Sequence, residues 1–226
     1  MPRPRFARLP ATRRAHLLEV AAREFATRGY EDTSINRVLE QAGISKGAAY
    51  YYFDDKEDLF VTVVDYYAER LGLAAIRRLG LARLTRETFW PTLSELYRDP
   101  LVRSRDDPWA FGVVRAAHEL WRKQSETGPL AAYVQQMLDF LAAFLHAGQR
   151  LGLVRTDLPD DLLMGWVMAL DDANDRWVLE HWHELDRDGL VGAAERFVEA
   201  LRGLISPRPV GGNGVERSTA PDELPI

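Results

Sequence analysis

TSINRVLEQAGISKGAAYYYF, residues 33–53, holds two short apolar periodic segments parted by a glycine. Ile35, Val38 and Leu39 recur at helical spacing as far as Ala42, with Thr33 or Ser34 as the N-cap. Gly43 breaks that helix, Ile44 fills the turn, and Ser45 caps a second helix from Lys46 to about Phe53. Two short helices around a glycine turn are the arrangement that lays the second helix in the major groove of DNA. Ser45, Lys46, Gly47 and Ala48 stand at the N-terminal end of that second helix, where free N–H groups and the helix dipole favour phosphate. Tyr50 and Tyr52 offer hydroxyls to backbone oxygens, and Lys56 adds a charge at the next helix start. A plain helical hairpin is the bland alternative, and the outward Lys46, Tyr50, Tyr52 and Lys56 weigh against it.

Outward from this stretch, the pattern stays helical. Leu17, Val20, Ala21 and Phe25 form one stripe that Gly29 ends. Asp54-Asp55 opens a longer helix with Leu59, Phe60, Val63, Val64 and Tyr67 on its apolar side. Beyond Gly80, helices are expected at about 86–98, 108–125, 129–151, 160–185 and 192–205, with a loop at 152–159. Pro207, Pro209, Gly211, Gly212, Gly214, Pro221 and Pro225 mark residues 206–226 as a tail. The expected fold is all-α: a three-helix reading head over 1–55, a helical body over 56–205 and the tail.

The composition is globular, with 46% hydrophobic and 28% charged residues, so a core is available and wholesale disorder is not expected. No apolar run approaches the ~20 residues that span a bilayer, so no membrane partner is expected. Residues 1–30 lack the apolar region of a secretory signal, and the cytoplasm is the expected location. Without cysteine there is no disulfide framework, thiolate nucleophile or thiolate metal site. The net charge of −5 conceals a division. Residues 1–53 carry nine Arg or Lys against five Asp or Glu, a net of +4, while residues 54–226 carry −9. A basic module meeting a polyanion, on an acidic body that does not, fits these numbers. Arg3, Arg5, Arg8, Arg13 and Arg14 read either as an arm on DNA or as a solvated end.

Residues 11–60, ATRRAHLLEVAAREFATRGYEDTSINRVLEQAGISKGAAYYYFDDKEDLF, resemble the TetR family of regulators. The resemblance rests on Phe25, Gly29-Tyr30 and Thr33-Ser34, then the Ala42–Gly47 turn, then the closing Tyr-x-Tyr-Phe-x-x-Lys-Glu-x-Leu. It implies that Lys46 and Gly47 approach bases, that Tyr50, Tyr52 and Lys56 contact phosphates, and that Thr33 and Ser34 touch the backbone. Ala48 stands where the family usually has Ser or Thr and cannot hydrogen-bond; Leu39 and Ala49 also depart in size. The resemblance further implies a ligand-binding, dimerising body and a homodimer through helices 160–185 and 192–205, with Leu163, Val167, Leu170, Phe197, Val198, Leu201 and Leu204 in its bundle. The expected function is a repressor that a small hydrophobic or aromatic effector releases from palindromic double-stranded DNA, an activator of the same fold being the alternative.

For the effector, the middle helices offer Phe89, Trp109, Val114, His118, Trp121, Met137, Phe140 and Trp166, many of them ordinary core. Asp171, Asp172, Asn174 and Asp175 lie mid-helix beside Trp177, with no basic residue between Arg155 and Arg176. They read as a site for a cationic aromatic effector, with Asp171 its foremost candidate, or as a solvated face, or as an interface paired with arginines. The same DDAND run resembles the magnesium-holding pattern of all-helical prenyl diphosphate enzymes, but no second Asp/Asn-rich set accompanies it. His118-Glu119 and His183-Glu184 lack the second histidine of a zinc hydrolase. With no Walker loop, dinucleotide fingerprint or nucleophile elbow, neither an enzyme nor a cofactor is expected.

Overall fold

A computed structural model describes residues 4–45, 49–72, 80–123 and 128–207, and within them all regular structure is helical. Helix α1 (Pro4–Ala7) is a single turn beside α2 (Ala11–Arg28), tied there by Arg14, which donates to the Ala7 carbonyl at 3.0 Å. Phe6 is buried with its ring 5.0 Å from that of Phe53. Burying such a ring is worth about 1.5–3 kcal/mol, enough to fix this part of the basic N-terminus on the head. It is therefore not a solvated end; Arg3 lies outside the described residues.

Leu17, Leu18, Ala21, Ala22 and Phe25 form the buried face of α2. Helix α3 (Ile35–Gln41) buries Val38 and Leu39 against it. Gly43 turns the chain at φ 67°, where a side chain is strained, and the Ile44 N–H donates to the Leu39 carbonyl at 2.8 Å. Helix α4 (Ala49–Tyr52) falls where the second motif helix was expected; residues 46–48 lie outside the described ones. Helix α5 (Lys56–Leu71) starts on reciprocal caps. The Asp58 N–H donates to Asp55 Oδ1 at 2.8 Å, and the Asp54 N–H donates to Asp58 Oδ2 at 3.3 Å.

The body follows as α6 (Phe89–Asp106), α7 (Ala110–Lys123), α8 (Ala131–Arg150), α9 (Asp160–His181) and α10 (Arg187–Ile205). Three bounds differ from the sequence pattern by four residues or more. Helix α6 runs through Pro100 to Asp106 instead of stopping near 98, because α10 packs along it, with the Tyr97 ring 4.3 Å from Phe197. Helix α9 stops at His181, short of Leu185. Helix α10 begins before Gly192 because Asp186 caps it, Oδ1 accepting from the Gly189 N–H at 2.8 Å. Residues 208–226, most of the expected tail, lie outside the described residues. Among those described, no helix is long and apolar enough to cross a membrane.

One core joins head and body, uniting Phe25 and Phe60 with Ala110, Val113, Ala116 and Leu120. A second core contains Leu163, Val167, Phe197, Val198 and Leu201 together with Phe89 and Phe144, with Leu170 and Leu204 packed partly against it. Of these seven, expected to meet a partner subunit, the five buried ones are used within their own chain, because periodicity marks an apolar face without saying what covers it; Leu170 and Leu204 are half-buried. The outward side of α9 is a different stripe. Leu162, Trp166 and Trp177 are 43%, 37% and 41% exposed, with Ala169 and Ala173 exposed between them.

Helices α2 and α7 approach closely at Gly112, where a Cβ would lie 2.3 Å from that of Ala26. Beside it Arg115 donates to the Ala26 carbonyl at 3.0 Å. Gly112→Ala therefore overpacks this crossing and is expected to destabilise the fold by about 1–3 kcal/mol in urea unfolding. An unchanged midpoint would contradict the contact.

Candidate functional site

On the head, Ser34 and Ser45 are exposed; Ser34 caps α3 with extended backbone and makes no side-chain cap bond. Thr33 is buried, and its hydroxyl lies 2.7 Å from the Gly29 carbonyl and 3.2 Å from that of Glu24, so its side chain works inside the fold. Lys56 Nζ donates to the Glu31 carbonyl at 2.8 Å and stands 4.6 Å above the Tyr30 ring. Burial, then the charges of Glu57, Asp55 and Glu31, push the Tyr30 phenol up to about 12. Tyr52 is half-buried and meets the exposed Tyr51 edge-on at 5.3 Å; Arg5 covers the Tyr51 ring at 4.1 Å. Lys46 and Gly47 lie outside the described residues, as does the side chain of Tyr50.

The orientation of α3 depends on a residue that the motif does not contain. Glu24 is buried on α2, accepts from Gln41 Nε2 at 2.9 Å, and pairs with Arg28 at 3.2 Å and Arg37 at 3.8 Å. A glutamate following Leu17 and Ala21 on one helical row was the available signal.

In the body, α5, α6, α7, α8 and α9 enclose a cavity of about 350 Å³, within the size range of small-molecule sites. Val114, His118, Trp121, Met137, Phe140 and Asp171 line it, as the sequence suggested. Phe89, Trp109 and Trp166 do not. Phe89 stacks on Phe144 at 4.5 Å in the second core, Trp109 packs against the first, and Trp166 faces outward. Phe111 and Tyr133, aromatic residues of the same middle helices, also line it, as do Tyr97 and Trp182, which the sequence did not single out.

The DDAND run divides between two environments. Asp172 sits at the rim, 3.1 Å from Arg176, 3.5 Å from His118 and 3.9 Å from Arg122. Asp171 and Asp175 line the cavity, and Tyr97 donates to Asp171 Oδ1 at 2.7 Å. No ion pair reaches Asp171 or Asp175 among the described residues. Desolvation raises the Asp171 pKa, with the Tyr97 hydrogen bond opposing. Desolvation, then repulsion from Asp171 and Asp172, pushes Asp175 up to about 7. Burial lowers His118, against the pull of Asp172. The carboxylates do not converge as a magnesium set: among the described residues, no three His, Asp or Glu side chains form a metal-holding group.

The model for bacterial regulatory proteins of the tetR family matches residues 17–63. The HTH-type transcriptional repressor AcnR of Corynebacterium glutamicum is 31% identical over 159 residues, covering 68% of this chain and 75% of that protein. The chain belongs to the TetR family. AcnR of Corynebacterium diphtheriae, 29% identical over 160 residues, covers 71% of the chain and 77% of its own length, so the TetR likeness extends beyond the head into the body. The fold is shared with the transcriptional regulator FadR from Bacillus subtilis in complex with stearoyl-CoA, at a TM-score of 0.65 and 19% identity, over 84% of this chain and 98% of that one. This TetR-family chain thus pairs an N-terminal helix-turn-helix DNA-binding head with a helical body.

Folded Asp175 holds its proton up to about 7, whereas the unfolded carboxyl releases it near the ordinary 3.8. Its contribution to stability is full below the unfolded value and is lost as pH rises through about 7. Asp175→Asn should therefore gain stability relative to wild type as pH rises from about 5 to about 8. Paired thermal melts would show a constant difference if the carboxyl were solvated.

Proposed function

We propose that this chain is a homodimeric repressor that binds palindromic operator DNA through residues 33–56 and is released when a small apolar or aromatic molecule fills the body cavity. The observation that carries this reading is that the cavity walls are also the supports of the head. Helix α5 lines the cavity with Val64, Tyr67, Ala68 and Leu71 and continues from the motif through the Asp55 cap. Helix α7 lines it with Phe111, Val114, His118 and Trp121 and packs on α2 at Gly112 and Arg115. A ligand that binds more tightly when α5 or α7 is displaced favours a different setting of the two heads. Operator affinity then falls by the ligand's differential affinity for the two states and no more.

On DNA, Lys46 and Gly47 take the base edges, while Ser34, Ser45, Tyr50, Tyr52 and Lys56 position the motif on phosphates, Thr33 contributing from the backbone. The matching family and the two AcnR repressors support this assignment. One motif covers too little DNA for tight recognition, so two half-sites about one helical turn apart, or a multiple of it, require a dimer. The exposed stripe Leu162, Trp166, Ala169, Ala173 and Trp177 on α9 supplies the apolar surface for that pairing. We take residues 1–55 as the head, 56–205 as the body and 206–226 as the tail, with head and body sharing one core.

In vitro selection with the purified protein should return a palindrome. Lys46→Ala is expected to change the preferred bases. Lys56→Ala should weaken all sequences alike and lower the salt slope by about 1. If both variants bind the selected palindrome unchanged, the DNA-reading assignment is wrong. Trp166→Glu should shift the protein from dimer to monomer in analytical ultracentrifugation, and a persistent dimer would place the interface elsewhere.

A further inference from the structure

The cavity is apolar over most of its wall yet carries two carboxylates, Asp171 and Asp175. Desolvation opposes their ionisation; His118 relieves it only in part and only at Asp171, while Arg122 and Arg176 are engaged with Asp172 at the rim. A desolvated carboxylate pair that no ion pair reaches is costly unless it keeps a proton or receives a cation. The remaining wall suits the second course. Tyr97, Phe111, Trp121, Tyr133, Phe140 and Trp182 present aromatic surface to the same space, and ring faces attract positive charge.

We propose that the cavity binds a lipophilic monocation, an alkyl-aromatic amine whose ammonium group sits at Asp171 and Asp175 while its apolar part lies among the aromatic side chains. The proposal rests on the reading of this cavity as the effector site and adds the sign of the charge. FadR holds stearoyl-CoA, an anionic ligand, on the same fold; here the carboxylates repel anions. Binding of the ammonium favours the ionised carboxylates, so affinity rises with pH through the range where Asp175 titrates. The groups around this pair are Tyr97 from α6, His118 from α7, and Asp172 and Asn174 from α9 itself; Tyr67 from α5 and Tyr133 from α8 line the same cavity, and Arg122 and Arg176 meet Asp172 at its rim. Burial lowers His118, which weakens the positive charge it directs at Asp171.

Three shape-matched probes test this: para-butylbenzylamine, para-butylbenzyl alcohol and para-butylbenzoate, titrated calorimetrically into the full-length protein. The amine should bind at least about tenfold more tightly than the alcohol, and the benzoate more weakly than both. The amine's advantage should shrink between about pH 8 and about pH 5.5. In Asp175→Asn and Asp171→Asn, checked for folding by circular dichroism, the amine should fall to the level of the alcohol while alcohol binding persists. Alcohol or benzoate binding as tightly as the amine overturns the charge assignment and leaves the cavity as an effector site. Amine preference retained in both variants overturns the role of the two aspartates. No binding by any probe overturns the assignment and counts against the effector site as well.

Discussion

The contact between α7 and α2 is the constraint on which the rest depends. Gly112 lets the helices approach until a single added methyl would collide with Ala26, and Arg115 fastens the crossing to the Ala26 carbonyl. Helix α2 holds α3 through the buried Glu24 and its bonds to Gln41 and Arg37, so the placement of α7 passes directly to the DNA-reading motif. The opposite side of α7 walls the cavity. A change in what fills the cavity thus meets a closely packed helix pair, and such pairs shift as units because their interiors have little free volume.

The electrostatic division follows the same architecture. The basic excess lies in the first 53 residues and the acidic excess beyond them, so a chain of net charge −5 still presents a cationic head. Part of that cationic charge is held in place: Arg5 over Tyr51, and Lys56 over Tyr30 and on the Glu31 carbonyl. The body concentrates its unusual charge inside, at Asp171 and Asp175, where low polarity makes protonation and cation binding alternatives.

Much of this was legible in the sequence, and the reasons differ by element. The glycine turn and the apolar spacing around Ile35, Val38 and Leu39 specify the motif locally, so its first helix and the end of its second could be placed to within a residue or two. Helix bounds failed where a distant partner decides them: α6 passes Pro100 because α10 lies along it. Cavity residues were found by type, but Phe89, Trp109 and Trp166 show that aromatic content does not give the phase of a helix about its axis. The same ambiguity put Leu163 and Phe197 on a partner when they belong to their own core. The split of the DDAND run was hidden for a related reason, since Tyr97, Arg122 and His118 reach it from other helices.

The most direct test of coupling between cavity and head is the affinity for a selected palindrome, read by fluorescence anisotropy at fixed salt. It is measured without para-butylbenzylamine and again with the cavity saturated, occupancy being set by calorimetry. The account predicts weaker operator binding by the occupied protein, with the dimer intact. Equal operator affinity at full occupancy would contradict it.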